Sequence, residues 1–244
     1  MGSVGIIARF ALLELLRRKD LAVLGLFAGI SLVFLGLARI VGFETPSAAT
    51  FTLNLSLTLI TGLAQLMTLL MAARQIPDEL ERRTLFPLLA RPVSRADILL
   101  GKTLAAWGTG LVVYFSLLLP VLVLVPRLES FAAGTFWQMI ALIPPGLAVT
   151  AAMGMCLSML VPKGMAIVLG GVLLFGAASM GSWRWAGRLL HLLPVPGKLD
   201  LTLRYTDGAL PLAGGSLMLS LVYALIWTVL LLGLSIRLFS RRAL

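Results

Sequence analysis

Charge is scarce in this chain. Only 12% of its 244 residues are Asp, Glu, Lys or Arg, and the mean hydropathy is +1.03. A soluble domain typically carries about twice that charged fraction, so a water-soluble enzyme or binding domain is excluded. The bilayer is the expected solvent. Strict polar–apolar alternation is missing as well, which argues against a membrane β-barrel. A single cysteine, Cys156, lies inside an apolar run and excludes an internal disulfide framework. The single histidine, His191, has no carboxylate or cysteine nearby. With no Ser–His pair, no paired intramembrane carboxylates and no HExxH, an integral-membrane enzyme has no constellation to work with. A cleavable signal peptide is not expected, because the first apolar run is too long for one and has no A-x-A exit. Ile6 stands where N-myristoylation wants Ser or Thr.

What is present is a series of long apolar runs with cations at their ends. The net charge of +10 would fit a nucleic-acid partner in a soluble protein, but this placement argues against one. Six spans are expected, at about 21–41, 50–73, 98–125, 136–161, 165–181 and 212–236, forming a single all-α membrane domain over 1–244. Before the first, Ile6, Phe10, Leu13 and Leu16 make an apolar stripe with Arg9, Glu14 and Arg18 between them. That pattern predicts an amphipathic helix lying on the lipid headgroups. Gly25 and Gly29 give span one a face for close helix approach, or mark chance in a glycine-rich chain. Pro144–Pro145 predicts a break in span four, after which Gly146, Thr150, Gly154 and Ser158 form a small-residue packing face. Trp183 and Trp185 belong at a membrane interface, and the leucines from 189 to 193 predict that the 182–211 loop dips into the membrane. With the N-terminus inside, 14 basic residues fall on the inner side and 6 on the outer. The positive-inside rule then places both termini in the cytoplasm of a cell (inner) membrane protein.

The stretch Arg74 to Lys102 organises the rest. It holds ten of the thirty formal charges and lies between spans two and three, so it is a loop in water. Pro77 suits the first turn of a helix, with Asp78 and Glu79 at the positive end of its dipole. Asp78 with Arg82 and Glu79 with Arg83 are i,i+4 pairs in the favoured order. Pro87 ends that helix after two or three turns. Ser94 and Asp97 then have the spacing of a capping box that opens span three.

This stretch resembles the cytoplasmic loop of ABC-2 type permeases. The residues that carry the resemblance are Glu79, Glu81 and Thr84, Leu88–Leu89, Pro92-Val93-Ser94-Arg95 and Gly101-Lys102. The resemblance implies that the short helix is a coupling helix docking into a separate ATP-binding subunit. Asp78, Glu79, Glu81, Arg82, Arg83 and Thr84 would make the docking contacts. Ser94, Arg95 and Lys102 would set the base of span three, with Arg95 and Lys102 at the headgroups. It also implies a homodimer with two cytoplasmic ATPase subunits, which would bind the ATP and Mg, so that this chain needs no cofactor or metal. Export is the direction it favours. The tail from Asp200 to Arg242 is similar to the branch grouped with permeases for multicopper-enzyme maturation. A non-transporting scaffold or assembly factor, recruiting a cytoplasmic partner through the same loop, is the competing reading.

Three motifs remain. Asn54, Thr58, Thr61, Gln65 and Thr68 are spaced 4, 3, 4, 3 and form one polar seam along span two. Such groups are costly in lipid, so the seam faces protein or a water-filled path. Interhelical hydrogen bonding and a substrate route both satisfy this, and the resemblance sets span two beside a central dimer cleft. The run ADILLGKT, residues 96–103, matches a loosened phosphate-loop pattern but lacks the preceding strand and inner glycines, so nucleotide binding is not expected there. Met153, Cys156 and Met159 form a soft i, i+3, i+6 set suited to Cu(I), although Met is also a common filler of apolar gaps.

Overall fold

The computed structural model describes residues 5, 29, 46–81, 94–124, 133–176 and 193–241. The amphipathic helix at the N-terminus, span one, Arg82 to Val93 and the tryptophan-bearing part of the 182–211 loop lie outside the described residues. Those described form helices and turns, with no strand among them.

Among the described residues, four helices are long and apolar enough to cross a membrane: α1 (Pro46–Glu81), α2 (Arg95–Leu124), α3 (Ala133–Leu160) and α6 (Gly214–Arg241). Between α3 and α6 lies α4 (Lys163–Gly171), which passes into a π-helical turn, Val172–Gly176. A 3-10 turn (Pro196–Leu199) and the short α5 (Thr202–Thr206) follow. α3 is the central helix, packing against α1, α2, α4 and α6. Its most apolar stretch is 67% buried, whereas the corresponding stretch of α6 is only 6% buried. α6 packs along α3 through a face that includes the buried Ala224, Ser235 and Phe239 and leaves much of its surface exposed.

Two helices run further than their prolines predict. α1 continues through Pro77 to Glu81, so Pro77 does not open a separate helix. The ring removes one donor and frees the Ala73 carbonyl. The last turn is nevertheless pinned by ion pairs from Asp78, Glu79 and Glu81 to neighbouring helices. The acidic part of the expected coupling helix is thus the end of α1 itself. α3 likewise runs unbroken through Pro144–Pro145. The Trp107 indole N–H of α2 donates to the Pro144 carbonyl at 2.9 Å, a tie that holds this stretch against its neighbour. Helices in lipid tolerate such prolines where neighbouring helices and side chains re-satisfy the freed backbone groups.

The small-residue face of α3 serves close packing as expected. A Cβ on Gly154 would lie 2.9 Å from Ala72 Cβ and 3.1 Å from the Leu69 carbonyl oxygen, so α1 and α3 meet backbone to backbone there. The segment from 193 to 211 packs into the bundle rather than looping free. Val195, Leu199, Leu201 and Tyr205 are buried, the last three against the same core as Leu57 and Leu142.

Candidate functional site

Asp78, Glu79, Glu81, Arg95, Lys102 and Lys163 gather at one end of the bundle, where α1 ends and α2 and α4 begin. Ser94 opens α2, its hydroxyl accepting the Asp97 N–H at 3.0 Å, one half of the predicted capping box. The Arg95 guanidinium donates to the carbonyls of Phe239 and Ser240, at 3.4 and 3.2 Å. It therefore satisfies the carbonyl end of α6, where the helix dipole favours a cation. Arg95 is thus spent on a neighbouring helix rather than held free for a lipid headgroup.

Lys102 is likewise turned inward. It is 4% exposed, and its ammonium donates to the Glu79 carboxylate. Lys102 was expected at the headgroups, and its ammonium is paired with Glu79. About two turns from the start of α2, its side chain faces α1, and burial of an ammonium requires a paired anion. Ala96 to Thr103 is continuous helix, without the glycine turn that a phosphate loop needs.

Lys163, at the start of α4, reaches two carboxylates of α1. It donates to Glu81 at 2.7 Å and to Asp78 at 3.3 Å. The hydrogen bond to Glu81, then that to Asp78, raises its pKa above the ordinary 10.5. Three acids on the last turn of α1 are thereby tied to two different helices: Glu79 to α2, Asp78 and Glu81 to α4. Glu81 still presents most of its side chain outward, at 62% exposed. Arg82, Arg83 and Thr84 lie outside the described residues. The residues around Lys163 give no sign of this role. Its pairing across 82 and 85 residues left no local signal.

The polar seam of α1 divides into three. Thr68 is buried and bonds back to the Ala64 carbonyl at 2.8 Å, so it needs no partner helix. A Cβ on Gly110 would fall 2.0 Å from its hydroxyl oxygen, so α2 seals the seam at this level. Thr61 and Gln65, both buried, line a small cavity with Tyr114 of α2 and Asp200. Thr58 is exposed and donates to the Asn54 side-chain oxygen at 3.1 Å. The seam is thus neither one continuous channel nor a ladder of interhelical hydrogen bonds.

The soft trio on α3 does not converge. Met153 packs with Leu69 and Leu174, Met159 with Ile76 and Phe239, and Cys156 lies within hydrogen-bonding reach of Ser235. Among the described residues no cluster of three or more His, Cys, Asp or Glu could hold a metal ion.

At the opposite end, side chains tie the 193–212 segment to the bundle. Gln138 of α3 donates to the Leu212 carbonyl at 2.9 Å and accepts the Leu212 N–H at 2.7 Å. The Tyr223 hydroxyl accepts from Val195 N–H and donates to the Leu193 carbonyl.

Apolar spanning helices drawn together at one end by ion pairs describe a membrane subunit. The family model described as ABC-2 family transporter protein matches residues 35–244. The chain belongs to the ABC-2 transporter family. It is therefore a multi-pass membrane permease of an ABC transporter, the type of subunit that partners an ABC ATPase. No curated protein matches the chain.

Proposed function

We propose that this ABC-2 permease works as a homodimer with two copies of a cytoplasmic ABC ATPase, exporting its substrate across the cell's inner membrane. The ATPases bind the ATP and Mg and dock on the loop that begins at the end of α1. Both termini and this loop lie in the cytoplasm. The observation that carries the reading is the tie of the last turn of α1 to α2 through Lys102 and to α4 through Lys163. A displacement applied at the last turn of α1 is carried to two other helices, through Glu79 to α2 and through Asp78 and Glu81 to α4, which is what a coupling element must do. Glu81, the most exposed of the three acids, is the docking contact, while Glu79 is the internal strut. Arg82, Arg83 and Thr84 continue the docking surface. The likeness of the tail to the multicopper-enzyme-maturation branch supports membership there, although Met153 and Met159 pack against different neighbours.

The test is co-purification from membranes. Wild-type chain is expected to bring down a stoichiometric ABC ATPase and to stimulate its hydrolysis of ATP. The Glu81→Lys variant is expected to insert normally and lose that subunit. ATP-dependent movement of substrate in proteoliposomes separates a transporter from a scaffold, since a scaffold would bind the ATPase and move nothing.

A further inference from the structure

Three buried polar side chains meet in the middle of the bundle. They are Thr61 and Gln65 on α1 and Tyr114 on α2. Tyr114 is 1% exposed, and its hydroxyl oxygen is among the few buried polar atoms left unsatisfied. Polar groups inside a membrane protein are rarely left so, because lipid offers nothing in exchange. All three line one cavity of about 10 Å³, with Pro196, Leu199 and Asp200 also in its wall. One oxygen of Asp200 already accepts from the Thr202 N–H and hydroxyl, which shapes the start of α5.

The volume equals about one water-sized sphere, and a buried water needs two to four polar partners. This site offers four. Tyr114 supplies a donor, Thr61 a hydroxyl, Gln65 a donor or an acceptor, and Asp200 an acceptor of high charge density. A monovalent cation would want a shell of five or six oxygens, and the remaining lining is mostly aliphatic: Ala64, Leu142, Ile143 and Leu147. We propose that this cavity is a binding site for a single water molecule that bridges Tyr114 and Gln65 to Asp200. The water fastens the 196–200 turn onto the spanning helices and stoppers the polar seam of α1. The stopper works together with the seal just beyond it, where Thr68 meets Gly110 and leaves no room for a path.

Two measurements test this. In a structure of the full transporter that shows ordered water, one peak is expected within hydrogen-bonding distance of Tyr114 Oη and a Gln65 amide atom. An empty cavity overturns the proposal, as does a peak ringed by five or six oxygens at cation distances. The second measurement is a double-mutant cycle of melting temperature with Tyr114→Phe and Asp200→Ala. A shared water makes the two losses overlap, so the double variant melts near the less stable single variant. Full additivity overturns the bridge. Should the Asp200→Ala chain not fold, Gln65→Leu replaces it in the cycle with the same two outcomes.

Discussion

Replacing Glu79 by Gln gives the sharpest view of how the base of the bundle is held. The substitution keeps shape and hydrogen-bonding capacity and removes only the charge. Lys102 is 4% exposed, and Glu79 is its one partner among the described residues. Its ammonium would be left buried with no counter-charge. Breaking a buried pair from one side costs about 3–5 kcal/mol. The Glu79 side chain is itself 22% exposed, so some water already reaches the pair. The low end, about 3 kcal/mol, is the expected loss, roughly a hundredfold in the folding equilibrium. Lys102→Met should cost less, because Glu79 has a further interaction and more access to water. The double variant Glu79→Gln/Lys102→Met removes the orphaned charge and should recover to within about 1 kcal/mol of wild type. Reversible unfolding in mixed detergent–SDS micelles reads all four corners of the cycle. A Glu79→Gln variant within about 0.5 kcal/mol of wild type would refute the reasoning, since that is the range of an ordinary surface change. A double variant as unstable as the single would refute it too.

Further outcomes follow from the same contacts. Gly154→Ala should lower the melting temperature, because the added methyl meets Ala72 Cβ and the Leu69 carbonyl, neither of which can rotate away. Overpacking of this kind costs about 1–3 kcal/mol, and a melt equal to wild type would show that α1 and α3 have slack. Gln138→Leu removes both bonds to the Leu212 backbone and leaves a donor and an acceptor unmade, at about 1–3 kcal/mol. Protease cleavage within 207–213 should accelerate accordingly. The Lys163 ion pairs act in a defined pH window. With its folded pKa raised above 10.5, their contribution is fully present below that value and is lost as pH rises through the folded pKa. Melting temperatures of wild type and Lys163→Met should therefore differ by a constant amount from pH 7 to 9 and converge only in stronger alkali. Convergence already below pH 9 would contradict the pairing.

The spans α1, α2, α3 and α6 were legible because an apolar run of this length has few other fates, and the capping role of Ser94 because its partner lies three residues away. The continuity of α1 and α3 through their prolines was not legible. Local chemistry predicts a stop at Pro77 and Pro144, and only the neighbours, Lys102, Lys163 and Trp107, show why the helices run on. Pairings over long separations, such as Lys102 with Glu79 or Lys163 with Asp78, leave no mark on local periodicity. The polar seam illustrates the limit well. Its spacing correctly set Thr61, Gln65 and Thr68 inward, but Thr68 bonds to its own helix and Thr58 is exposed. Tyr114, a hydroxyl deep in an apolar run, and Asp200, the first acid after Glu129, are the sequence signals of this site.

The central claim is that a separate ATPase works this membrane subunit through the exposed acid at the end of α1. The direct measurement is ATP hydrolysis by the co-purified ATPase in lipid nanodiscs, with wild-type chain and with Glu81→Lys. The account predicts stimulation by wild type, and no bound or stimulated ATPase with an otherwise stable Glu81→Lys chain. Equal binding and equal stimulation by the two chains would contradict it.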